Sequence, residues 1–217
     1  MKKTAIILGA TGLTGGILLQ RLLVDESYAR IKLFSRRTVG FVHPKIEEYL
    51  IDVFELEKCH QAFKGDVVFC CVGTTNAKTP NKDLYRKIDY GIPVSSASMA
   101  KQQGIDTFIV ISAMGASVDS RVFYNRTKGE MERDVLQQHV KNTFILQPSL
   151  IGGQRTEKRF GERMGQLFMS IFGILIPKNY KMIQPETIAK AMQVLARKGY
   201  HLQQIQSHKI KELAYES

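Results

Sequence analysis

Cysteine is scarce in this chain of 217 residues, with only Cys59, Cys70 and Cys71. An odd, sparse set excludes a disulfide framework. Cys70 and Cys71 are adjacent in an apolar run, where strand neighbours point to opposite faces, and read as small buried hydrophobes. The five histidines, His43, His60, His139, His201 and His208, fall at no ligand spacing, so no metal site is expected. Long apolar runs are missing as well. None reaches about 18 residues, the length a spanning helix needs. Repeats and low-complexity tracts are absent. Acid is under-represented: 31 Lys and Arg face 20 Asp and Glu, a net charge of +11. That suggests an anionic ligand or surface and says nothing about fold. The excess is +4 over residues 1–108 and +7 over 109–217, interleaved with acids and without a basic tail. Nucleic acid is therefore an unlikely partner.

What is present is ordinary for a folded protein. Hydrophobic residues make up 44% and charged residues 24%, which excludes disorder as the main state. The length suits a single domain over residues 1–217. Met1-Lys2-Lys3 followed by Thr4–Leu8 imitates a signal peptide. The apolar stretch is too short and lacks a following cleavage site, so a cytoplasmic protein is expected.

Short apolar runs recur at Thr4–Leu8, Ile31–Ser35, Ile46–Ile51, Asp66–Val72, Thr107–Ser112 and Thr143–Gln147. Several are apolar at nearly every position, as strands covered on both faces are. Helical patterns lie between them. Leu13, Ile17, Leu18, Leu22 and Leu23 form one stripe, a second segment ends at Gly104, and Lys128–His139 forms a third. Alternating strands and helices predict an α/β fold with a doubly wound parallel sheet. Residues 1–150 would form its core and 151–217 a small substrate-side extension. There the rhythm changes at Gly152-Gly153, with the basic residues Arg155, Lys158, Arg159 and Arg163, an apolar stretch Leu167–Ile176, and a last amphipathic helix at Pro185–Arg197. The apolar stretch suits packing over the sheet edge or an oligomer contact. The basic group could face an acidic substrate or simply solvent. Gln203–Ser217 is polar and uninformative.

The strongest motif is Gly9-Ala10-Thr11-Gly12-Leu13-Thr14-Gly15. It follows a strand directly and opens a helix, the setting in which a glycine-rich turn binds a dinucleotide. Gly9 permits the sharp turn, Gly12 lets backbone approach a pyrophosphate, and Gly15 lets helix pack on strand. The helix N-terminus offers N–H groups and a positive dipole end. Thr11 or Thr14 could add a hydroxyl. A P-loop would need Gly-Lys-Ser/Thr here, and Gly15-Gly16-Ile17 lacks it. The second strand ends Phe34-Ser35-Arg36-Arg37, without the acid that binds an NAD ribose. Two guanidiniums suit a 2′-phosphate, so NADP(H) is expected, although two solvated arginines would look the same. Asp52-Val53 after the third strand and Gly73-Thr74-Thr75 after the fourth should border the cofactor at the carboxyl ends of the strands.

Tyr124 and Lys128 lie four apart, on one face of a helix. A neighbouring ammonium favours a phenolate, which lets tyrosine act as acid or base nearer neutrality. Ser112 closes the strand Phe108–Ile111 twelve residues earlier, where a hydroxyl could hold the same substrate oxygen. A tyrosine packed under a surface lysine is the plainer reading of the pair.

The order of glycine turn, Ser112, Tyr124 and Lys128 resembles the short-chain dehydrogenase/reductase superfamily. The strings Ser35-Arg36-Arg37, Phe69-Cys70-Cys71-Val72-Gly73-Thr74-Thr75 and Lys128-Gly129-Glu130 are similar to the Tat-interacting-protein branch of its atypical NAD(P)H-binding members. Gln147–Gly152, with Pro148 and Ile151, matches the loop near the nicotinamide. The resemblance implies a Rossmann-type fold with Tyr124 as general acid/base, Lys128 on the nicotinamide ribose, and Ser112 orienting the carbonyl. Asp89 departs from it, since many relatives carry an asparagine there that supports a water relay.

Two functions follow as expectations. One is an NADPH-dependent oxidoreductase acting on a small carbonyl or alcohol. The other is a redox-sensing regulator that binds NADP(H) and a protein partner without turnover.

Overall fold

The computed structural model describes residues 2–75, 77–152 and 182–216. Its strands are β1 (Lys3–Leu8), β2 (Tyr28–Ser35), β3 (Ile46–Leu50), β4 (Val67–Cys70), β5 (Thr107–Ile111), β6 (Asn142–Gln147) and β7 (Gln204–Gln206). Its helices are α1 (Leu13–Val24), α2 (Lys82–Arg86), α3 (Ile92–Gln102), α4 (Phe123–Leu136), α5 (Pro185–Lys198) and α6 (Ser207–Tyr215). A 3₁₀ segment, Val53–Cys59, follows β3, and a π-helical turn, Lys87–Gly91, joins α2 to α3.

The strands form one parallel sheet in the order β3-β2-β1-β4-β5-β6-β7. Alternate residues of each strand feed two cores. Ala5, Ile7, Leu33, Phe69, Ile109 and Leu146 meet α1, α5 and α6 on one face. Ile6, Leu8, Phe34, Val68, Val110 and Ile145 meet the other layer, where α3 and α4 supply Ala97, Met131 and Val135. This double covering is why central strands such as β4 and β5 read as nearly unbroken apolar runs, whereas the half-buried β3 carries Glu47 and Glu48. Cys70 and Cys71 divide the same way, Cys70 buried in the second core and Cys71 half-buried against the first.

The fold extends further than the sequence pattern indicated. Residues 203–217, read as uninformative, carry β7 and α6. Ile205 and Ile210 are fully buried there, and Ile205 pairs with Leu146 of β6. A three-residue strand with one inward side chain leaves almost no periodic signal. Leu13, placed on the apolar stripe of α1, is instead 54% exposed at the mouth of the glycine turn, and Leu19 takes a core position. The third helix starts at Phe123, five residues before the expected Lys128. The basic group Arg155–Arg163 and the stretch Leu167–Ile176 lie outside the described residues. Among the described residues, no helix is long and apolar enough to cross a membrane.

The π-helical turn has a local cause. Pro93 lacks an N–H and its ring collides with the carbonyl four residues back, which is Asp89. The chain absorbs this with one wider turn, in which Ile92 N–H reaches back five residues to Lys87 O. Asp89 sits in that turn, almost wholly buried.

Candidate active site

The strand order reverses between β1 and β4, the point at which an open parallel sheet places its ligand site, at the carboxyl ends of the strands. The residues singled out from sequence lie along this edge, one loop per strand.

After β1 the chain turns at Gly9 with φ +87°, a region side chains disfavour. A Cβ on Gly9 would sit 2.8 Å from Cys71 O, and one on Gly15 would overlap the Gly9 carbonyl. Turn, helix and β4 loop are thus at backbone contact. Gly12 is the extended N-cap of α1 and no side chain caps the helix, so its first N–H groups face the turn. Thr11 is exposed and Thr14 buried. Beside the turn lies a cavity of about 430 Å³, lined in part by Thr11, Gly12, Gly16, Gln20, Arg37 and Thr38. Arg37 lines this cavity and Arg36 lies outside its lining. Ser35 Oγ donates to Arg37 O at 2.7 Å, and Glu48 accepts from Thr38 Oγ1 and Val39 N–H, which fixes the loop that carries Arg37.

Asp52 accepts from Phe54 N–H at 3.0 Å, starting the 3₁₀ segment, with Val53 buried behind it. Besides the turn bonds from Lys78 and Thr79 N–H to Thr75 O, two side-chain bonds anchor Gly73–Thr75. Thr74 N–H donates to Asp89 Oδ2 at 2.8 Å, and the hydroxyls of Thr74 and Thr79 pair at 2.9 Å. Met114 N–H donates to Pro148 O, joining the loops after β5 and β6. Ile151 forms a parallel bridge with Ile183.

Helix α4 brings the polar groups together. Gly129 lets it dock, because a Cβ there would overlap the backbone of Ser117 and Val118. Tyr124, Lys128 and Glu132 lie four apart along one face. Tyr124 is 39% exposed, its ring edge-on to Tyr85 at 6.3 Å. Lys128 is buried. Its Nζ lies 2.9 Å from Asp89 Oδ1 and 3.4 Å from Ile111 O. A Cβ on Gly73 would come within 4.0 Å of that Nζ, so the β4 loop bridges Lys128 to the glycine turn. Burial pulls the ammonium's pKa down, but Asp89 and Tyr124 outweigh it and hold the value above the ordinary one. Burial pushes the Tyr124 phenol above its usual range; Lys128 opposes this and Asp89 adds to it.

Ser112 turns away from the expected partner. Its hydroxyl donates to Glu132 Oε1, and it is itself buried. Gln147 Nε2 donates to both oxygens of the same carboxylate, at 3.0 and 2.9 Å, and Gln204 Nε2 to Oε2 at 2.8 Å. A serine that spends its one proton this way offers only lone pairs to a ligand. Glu132, Gln147 and Gln204 were not anticipated. The spacing from Tyr124 through Lys128 to Glu132 was the available signal for the first. Nothing local marks the other two, which meet it only through strand order.

A family model described as NAD(P)H-binding matches residues 9–165. Protein FMP52, mitochondrial, of Candida albicans is 34% identical over 159 residues, covering 71% of this chain and 69% of that protein. Protein HTATIP2 of Rattus norvegicus is 32% identical over 170 residues, covering 76% and 70%. Among solved structures, the Bordetella bronchiseptica enzyme WbmG in complex with NAD superposes with a TM-score of 0.71 at 13% identity, over 99% of this chain and 77% of that one. UDP-glucose 4-epimerase from Thermotoga maritima gives 0.69 at 12% identity, over 98% and 82%. At such identities the likeness is one of fold.

Proposed function

The chain belongs to the NAD(P)H-binding family of atypical short-chain dehydrogenase/reductases, in its Tat-interacting-protein branch, and from that premise we propose that it is an NADPH-dependent oxidoreductase acting on a small carbonyl or alcohol. One observation carries the proposal. The glycine turn and the Tyr124–Lys128 pair belong to one contact chain, from Gly9 through Cys71 and Gly73 to the Lys128 ammonium.

The residues present fit the cofactor. Gly9 and Gly15 let the turn, α1 and the β4 loop close to backbone contact, and the uncapped start of α1 supplies N–H groups for the diphosphate. The cavity beside the turn, with Arg37, Thr11 and Thr38, suits a 2′-phosphate. Gly73 and Lys128, next to each other, would border the nicotinamide end of the cofactor. When bound, NADPH supplies the hydride. Tyr124 gives its phenolic proton to the substrate oxygen as that oxygen gains negative charge, and takes it back in the reverse direction. Lys128, its charge offset by Asp89, tempers the charge left on the phenol. Ser112 can accept from the hydroxyl of an alcohol. While bonded to Glu132 it cannot donate to a carbonyl.

The test is a titration of the purified protein with NADPH and NADH, followed by a screen of small aldehydes and ketones for NADPH consumption. Saturable association with NADPH and consumption with at least one carbonyl are expected. No association with either coenzyme overturns the reading. For the phosphate site, Arg37→Asp should weaken NADPH at least about tenfold more than NADH, the range of a charge-assisted bond. The same change at Arg36 should discriminate less. Equal losses for both coenzymes at Arg37 would remove it from phosphate recognition.

The second reading, a regulator that binds NADP(H) without turnover, is favoured by the engagement of Lys128 with Asp89 and of Ser112 with Glu132. NADPH binding with no consumption across the screen would support it.

A further inference from the structure

We propose that Asp89 is a positioning residue of the candidate active site, holding the Lys128 ammonium by a direct ion pair and cancelling its charge beside the Tyr124 phenol. The inference deepens the oxidoreductase reading and rests on it for the role of Tyr124.

The geometry is specific. Both carboxylate oxygens of Asp89 are used, Oδ1 by Lys128 Nζ at 2.9 Å and Oδ2 by Thr74 N–H at 2.8 Å. Both side chains of the ion pair are buried, at 1% and 4% exposure. An asparagine could accept from Thr74 but would bring no charge to Lys128. The π-helical turn imposed by Pro93 holds Asp89 at this point, and the carboxylate then ties three elements together: that turn, the loop after β4, and α4. A surface ion pair would contribute little, but this one is shielded from solvent, so its charges act strongly on neighbours.

The surroundings fix the sign. Tyr124 lies within electrostatic reach of Lys128 on its own helix and of Asp89 on the π-helical turn, and its ring meets Tyr85 of α2. Lys128 is faced in addition by Cys70 of β4 and lies within electrostatic reach of Glu132. Lys128 alone would favour the phenolate; Asp89 returns the local charge to neutral. Tyr124 therefore keeps its proton through neutral pH, as an acid for carbonyl reduction must. Removing only the Asp89 charge leaves the ammonium uncompensated, and the phenol must then ionise at lower pH.

The experiment reads Tyr124 ionisation directly, as tyrosinate absorbance during alkaline titration of the cofactor-free protein. Each protein is compared with its own Tyr124→Phe counterpart, because the chain has eight tyrosines. Asp89→Asn should move the Tyr124 transition down by about one pH unit or more. The double variant Asp89→Asn, Lys128→Met is again locally neutral and should titrate close to the wild type, whereas Lys128→Met alone should not. A transition unmoved or raised in Asp89→Asn overturns the proposal. If that variant fails to fold, the double variant decides: a Tyr124 transition raised well above wild type means that Asp89 was not cancelling Lys128. NADPH titration of the wild type separates the two claims. Absent binding removes the oxidoreductase reading, while a phenol indifferent to residue 89 in a cofactor-binding chain removes only the role of Asp89.

Discussion

Tyr124→Phe is expected to lower the rate of NADPH consumption by about 10²–10⁴-fold, the usual contribution of a positioned acid or base, while leaving the dissociation constant for NADPH nearly unchanged. The exchange removes one oxygen and keeps the ring. That ring rests edge-on against Tyr85 and stands partly open to solvent, so phenylalanine preserves the packing. A loss of rate without loss of cofactor binding or of thermal stability assigns the effect to the proton. The pH dependence has a defined direction. In reduction the phenol must be protonated, so the rate should hold through neutral pH and fall as pH rises through the phenol's transition. Burial and Asp89 push that transition upward against the pull of Lys128. In the oxidation direction the rate should rise over the same interval. An unchanged rate in Tyr124→Phe would exclude this side chain from the chemistry.

How much of this could be read from residues alone depended on whether a signal was local. The glycine turn is local: three glycines in a strand-to-helix setting specify both the backbone path and the approach of a phosphate. Six of the seven strands among the described residues are local too: covering on both faces makes the central ones nearly continuous apolar runs, and turn residues bound the half-buried β3. The spacing of Tyr124 and Lys128 is a property of one helix. The remainder is not local. Which arginine lines the cavity depends on the loop that Glu48 fixes from β3, and this brings in Arg37. That Asp89 meets Lys128 depends on a wide helical turn forced by Pro93, and β7 shows itself only once it pairs with β6. Ser112 was read by its position at a strand end, and that position holds. Its proton, however, belongs to a carboxylate twenty residues further on, recruited by helix packing rather than by sequence proximity.

Glu132→Ala is expected to destabilise the protein by about 3–5 kcal/mol, among the larger losses a single substitution brings. The carboxylate is 3% exposed and receives bonds from Ser112 at the end of β5, Gln147 at the end of β6 and Gln204 of β7. Removing it strands the buried Ser112 hydroxyl and the half-buried Gln147 amide, at about 1–3 kcal/mol for a buried donor, frees the exposed Gln204 amide to water, and leaves a cavity beneath α4. Glu132→Gln keeps the volume and an acceptor oxygen, and the two glutamine amides can turn to meet the new NH₂ group, so a smaller loss is expected. Denaturant unfolding measures both. The pH dependence separates the charge from the shape. Burial raises the Glu132 carboxyl above the ordinary glutamate value, opposed by the bonds from Ser112, Gln147 and Gln204 and by Lys128. Between the ordinary value and the raised one, the unfolded chain has lost this proton while the folded chain still holds it. The wild type therefore loses stability from this group as pH rises through that window, and the contribution is fully present below it. Glu132→Gln carries no such proton, so its stability should be flatter over the same window. A wild type and a Glu132→Gln variant with parallel pH profiles would mean that burial does not govern this carboxyl; a Glu132→Ala variant as stable as the wild type would mean that the three donors find other partners.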